Sequence, residues 1–178
     1  MTLAAVAVAI IVQITNLADA PPAVLDSAQT EVVGMFREIG IELIWTPSTE
    51  MDWGGPGTAR LTVLASSATP LRKGGPVLGA AMRTPPGTGV SWVFYRSVEE
   101  EARFQGISVA RLLACVIAHE IAHLLQPIKQ HALAGLMRAS WTREDFQRAA
   151  RGELRFSAMD AEALRSPSAS VTGARGRE

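Results

Sequence analysis

Apolar residues fall on every second position at the start of the chain: Val6, Val8, Ile10, Val12 and Ile14, with Gln13 and Thr15 following in register. Period two is how a strand buries one face, so a first β-strand is predicted there. The period then lengthens. In "PPAVLDSAQTEVVGMFREIG", Leu25, Ala28, Val32, Met35 and Ile39 recur at spacings of three and four. Prolines fit the first turn of such a helix and Gly40 can stop it. "IELIW" at 41–45 reads as a second strand, so the chain opens β-α-β with parallel strands. The turn formers of "TPSTEMDWGGPGT" (46–58) predict a loop. Three more strands follow between Gly- and Pro-rich turns: "RLTVLAS" (60–66), "VLGAAM" (77–82) and "VSWVFYR" (90–96). The last is the most β-prone, being rich in aromatic and branched residues.

Beyond residue 107 the pattern changes. "VARLLACVIAHEIAHLL" is apolar almost all round, which predicts a helix buried in the middle of the domain. Ser108 is its candidate N-cap, with Ile107 able to staple onto Leu112. Pro127 ends it near Leu125 or Gln126, because proline cannot continue a helix and biases the residue before it to extended angles. Thr142 with Asp145 opens a further helix, and Ser157 with Asp160 a last short one. Residues 166–178 are small and polar and are expected to form a disordered tail. The chain therefore predicts a single α/β (α+β) domain over residues 1–165. It has a mixed sheet of about five strands, an early helix backing it and a central helix.

Composition narrows the partners. Lys plus Arg and Asp plus Glu number 17 each in 178 residues, so no net charge draws the chain to nucleic acid or acidic lipid. The arginines of the last third alternate with acids, as on a solvated helical face. The single cysteine, Cys115, forms no internal disulfide and reads as buried packing. Leu3 to Val12 is apolar and "ADA" at 18–20 resembles a signal-peptidase site. No Lys or Arg precedes Arg37, however, and the period-two pattern favours a strand and hence a cytoplasmic protein over an exported one. The run is too short to span a bilayer, so no stable membrane insertion is expected.

All three histidines lie in one window, "HEIAHLLQPIKQH" (119–131). His119 and His123 are four apart on the central helix, about 40° from each other around its axis, which aims two imidazoles at one metal ion. Glu120 points aside by about 100°, which suits a general base acting on metal-activated water rather than a ligand. Burying two imidazoles and a carboxylate on an apolar helix without partners would cost several kcal/mol or so, and one bound Zn2+ accounts for all three. Catalytic zinc usually has three protein ligands and one open position. His131, eight residues past His123, is the leading third ligand; Glu144, 21 residues past His123 on the next helix, is the rival. As an acid in a first turn, Glu144 also suits the helix dipole.

HExxH, a third His beyond a turn and "GLM" at 135–137 resemble the metzincin clan of zinc peptidases. "HEIAHLL…H…GLMRASW" resembles more closely a set of small bacterial proteins with such a core. The resemblance covers residues 5–165 and takes its specificity from 119–141. It implies a zincin-like fold, His119, His123 and His131 as zinc ligands and Glu120 as general base. Met137 becomes the methionine of the turn beneath the metal, supported by Gly135. It also implies a peptide or protein substrate paired with a sheet edge, a part that "VSWVFYR" with Trp92, Phe94 and Tyr95 could take. The expected activity is metal-assisted peptide-bond hydrolysis; the alternative is a zinc-binding, non-catalytic binding or regulatory protein. The chain departs from the metzincin pattern where Gln126 replaces a glycine and where Lys129 stands in the place of the third His, which comes two residues late; Pro127 stands where the small bacterial set tends to carry a glycine. Ala139 stands where some members carry a tyrosine.

Overall fold

The computed structural model describes residues 8–47, 58–64, 77–84, 88–126 and 131–165. The alternating start forms β1 (Val8–Leu17), followed by α1 (Pro22–Glu38) and β2 (Ile41–Pro47). Ile10 and Val12 are buried while Ala9 and Ile11 are exposed, as period two requires. Ala28, Val32, Met35 and Phe36 form the buried stripe of α1, and Gly40 leaves the helix at φ +77°, where a side chain would be strained. β1 and β2 pair in parallel, the geometry that a β-α-β unit gives.

β3 (Thr58–Leu64), β4 (Gly79–Thr84) and β5 (Thr88–Phe94) complete a sheet of order β2-β1-β3-β5-β4. Every pairing is parallel except β4 with β5. Each of these three strands is offset by two residues from the span its sequence predicts. Most of the predicted loop 46–58 and all of the tail 166–178 lie outside the described residues.

The largest departure follows β5. Tyr95 and Arg96 are not its last residues but the first of α2 (Tyr95–Gln105). Tyr95, Val98 and Ala102 recur at spacings of three and four and are buried together, and packing of that stripe overrides the β-preference of the aromatic run. Gly106, at φ +67°, closes α2. Moreover, β5 has β3 on one side and β4 on the other, so it is an inner strand. The edge role expected of Trp92, Phe94 and Tyr95 is therefore overturned, and among the described residues β4 stands at that end of the sheet.

The apolar helix is α3 (Val109–Leu125), with Leu112, Leu113, Ile117 and Ile121 fully buried. Ser108 is its N-cap residue, but its side chain makes no cap hydrogen bond. Gln126 ends it in an extended conformation, φ −74° and ψ 136°, as the residue before Pro127 should. α4 (Arg143–Ala150) opens with the Thr142–Asp145 capping box, and α5 (Ala158–Arg165) with the matching Ser157–Asp160 pair. Small residues let α3 lie close on the sheet. A Cβ on Gly89 would come within 2.6 Å of Leu124, and one on Gly79 within 2.7 Å of Glu120. Among the described residues, no helix is long and apolar enough to cross a membrane.

Candidate metal centre

Helical spacing puts His119 and His123 side by side, 82° apart in ring plane, with Nε2 atoms 3.0 Å apart. His131 joins them, its Nε2 lying 3.2 Å from that of His123. Ligand atoms of the three histidines all fall within 4.8 Å of one another. In a tetrahedral site with bonds of about 2.0–2.1 Å, two nitrogens stand roughly 3.3 Å apart. The donor set fits that spacing, so one cation can be held by three imidazoles. Glu144 is exposed in the first turn of α4 and is absent from this group.

The tautomer of His119 follows from its partner. Its Nδ1 lies 2.8 Å from the carbonyl oxygen of Leu136, which can only accept. Nδ1 therefore donates its proton there, and Nε2 keeps its lone pair. Burial pushes the His119 imidazole down from 6.5 to about 4, against the upward pull of the Leu136 carbonyl, and the neighbouring His131 adds to the fall. His119 is thus neutral at pH 7, the form a metal requires. His123 is buried, whereas His131 is exposed.

Glu120 is buried and turned toward the sheet, with its Cγ and Oε1 against Gly79 of β4. Gly79 has no Cβ to displace it. Cys115, one turn earlier, is fully buried, and burial pushes its thiol up to about 12. It therefore stays protonated and serves as packing.

Gly135 to Arg138 form a turn, closed by a hydrogen bond from the Arg138 amide to the Gly135 carbonyl. Gly135 adopts φ +80°, and a Cβ there would meet the Arg155 carbonyl at 3.1 Å. Glycine is required on both counts. Met137 is fully buried within the turn. The turn presents the Leu136 carbonyl to His119, and the same oxygen accepts a hydrogen bond from the Trp141 indole at 3.1 Å. The Trp141 ring meets His119 edge-on at 6.0 Å. Leu136 and Trp141 were not among the residues predicted from chemistry. A backbone carbonyl leaves no mark in a sequence, and the tryptophan showed only as part of "GLMRASW".

No protein-family model and no curated relative matches the chain. Among solved structures it is similar to metalloproteinase-II from Bacteroides fragilis, with a TM-score of 0.50 and 13% sequence identity. The likeness covers 92% of this chain and 54% of that one, so the chain spans about half the length of that metalloproteinase. At this identity the similarity is one of fold.

Proposed function

We propose that the protein is a zinc-dependent metallopeptidase of metzincin type that hydrolyses peptide bonds in a peptide or protein substrate. The observation that carries the reading is the convergence of three imidazole Nε2 atoms beside a buried glutamate. The metzincin resemblance of residues 119–141 and the fold shared with a metalloproteinase support it.

His119, His123 and His131 hold one zinc ion, which when bound supplies the Lewis acidity that makes water nucleophilic near neutral pH. Glu120 accepts a proton from the attacking water at its carboxylate and returns it to the departing amine nitrogen. Gly79 leaves the space in which that carboxylate sits. Met137 and Gly135 support the turn that fixes His119 through the Leu136 carbonyl. An extended substrate pairs along β4, the strand at the end of the sheet order, in place of the inner strand β5.

The test is zinc stoichiometry together with digestion of a peptide library. Wild type should bind one zinc and cleave. Glu120→Ala should keep the zinc and lose cleavage by at least about 10²-fold. Undiminished cleavage by Glu120→Ala overturns the mechanism. A wild type that binds zinc but cleaves nothing points instead to a non-catalytic zinc protein.

A further inference from the structure

α3 ends in an extended Gln126, where the metzincin pattern carries a glycine, and His131 stands five residues further on. What anchors it lies downstream. The amide of Ala132, next to His131, donates to the Met137 carbonyl at 2.8 Å, and residues 132 and 138 form a single parallel bridge. One residue further, the Leu133 carbonyl accepts a hydrogen bond from Arg138 Nε at 2.7 Å.

The same guanidinium reaches a third segment. Its terminal nitrogen donates to the Asp145 carboxylate at 2.7 Å and to the Thr142 hydroxyl at 3.3 Å. Asp145 is buried and already fixed by the capping box, accepting from the Thr142 amide at 2.9 Å and from its hydroxyl at 2.8 Å. Arg138 therefore joins the loop that carries His131 to the start of α4, across the turn that supports His119. Two nitrogens with different directions are used, one on a carbonyl and one on a carboxylate. A planar fork does this, and a lysine ammonium on a single stem does not.

We infer that Arg138 is the positioning residue for the third metal ligand, holding the segment that begins at His131 by clamping Leu133 to the Asp145 capping box. This rests on the metal reading of the histidine cluster, since it assigns Arg138 an effect exerted through His131. Arg138 itself touches neither metal nor substrate.

The test is a double-mutant cycle on zinc affinity in the full chain, by competition with a chromophoric chelator, with Co2+ absorption as a second readout of ligand geometry. Arg138→Leu should weaken zinc binding about 10- to 100-fold, as loss of an outer-shell partner typically does. Arg138→Lys, which keeps the charge but not the fork, should fall between that variant and wild type. In a His131→Ala background, Arg138→Leu should cost no further affinity, because the ligand it positions is gone. An equal loss in both backgrounds overturns the inference, showing that Arg138 acts on the fold as a whole. Unchanged affinity in Arg138→Leu overturns it as well. Should Arg138→Leu fail to fold, the same cycle with Arg138→Lys decides, with coupling to His131 required. A wild type that takes up no zinc defeats the metal reading itself, which the intact cycle does not.

Discussion

His119 and His123 reach the cluster from one buried helix, while His131 reaches it from a segment between two helices. The helical pair needs no polar scaffold to set its spacing. Backbone geometry fixes it, and a core of Leu112, Leu113, Ile117 and Ile121 locks the helix against α1 and the sheet. The loop half has an exposed imidazole and depends on individual hydrogen bonds at Ala132, Leu133, Arg138 and Asp145. One half is thus preorganised by apolar packing, which is cooperative. The other is held by polar contacts, which single substitutions and protons can undo.

The largest expected effect tests that asymmetry directly. His119→Ala should abolish stoichiometric zinc binding, because it removes a preorganised ligand and leaves the Leu136 carbonyl without its imidazole donor. His131→Ala should only weaken binding, because the helical pair persists and the loop no longer has to be ordered. Equal losses, measured by competition with a chelator, would erase the distinction between the two halves.

Gly79→Ala probes the helix half at Glu120, the proposed base, rather than at the metal. The new Cβ would fall 2.7 Å from both Cγ and Oε1 of Glu120, so the carboxylate must move. A displacement of about 1 Å can cost on the order of 10²-fold in turnover. The drop should appear in kcat, with KM and zinc content close to wild type. A loss of zinc instead would mean that strand and helix shift together.

How far the two halves were legible in the sequence follows the same division. The relation of His119, Glu120 and His123 is a local, helical one and can be drawn from spacing alone. Thr142 and Asp145 are equally local, and the capping box forms where they predict it. His131 and Glu144 could not be separated by spacing, since both stand beyond the helix end. Tertiary structure separates them: Glu144 is exposed on α4, and its neighbour Asp145 is spent on the cap and on Arg138. The inner position of β5 was hidden for a similar reason. Strand order is a long-range property, and the aromatic run resembles an edge no less than a centre. α2 did leave a signal in Tyr95, Val98, Ala102 and Gly106, but the aromatic run up to Arg96 masked its start.

Acid should separate the halves in the metal-free protein. The folded His119 lies at about 4 against its ordinary 6.5, so the unfolded chain binds the extra proton. Stability from this group is present above pH 6.5 and is lost as pH falls through about 4. Asp145 behaves similarly in a lower window. Burial alone would raise it, but hydrogen bonds from Thr142 and Arg138 outweigh that and hold it below its ordinary 3.8. Its contribution is present above that value and lost as pH falls through the lower, folded one. Thermal melts against pH should therefore lose a component between pH 6.5 and 4 in His119→Gln, and one below 3.8 in Asp145→Asn. Identical pH profiles for wild type and either variant would contradict the assignment.

The smallest effect belongs at the junction, where the Leu136 carbonyl accepts from His119 of the helix and from Trp141 of the loop half. Trp141→Phe keeps an aromatic ring beside His119 and Phe146 but removes the indole donor. The carbonyl then keeps one of its two partners, so the cost should be about 1 kcal/mol, the net worth of one hydrogen bond. Because His119 still donates through Nδ1, zinc affinity should change by no more than a few-fold. A large loss of zinc in Trp141→Phe, with the melting temperature little changed, would show that the indole sets the direction of that carbonyl. The helical ligand would then depend on the indole as well as on the Leu136 carbonyl, and its spacing on α3 would not be enough to place it.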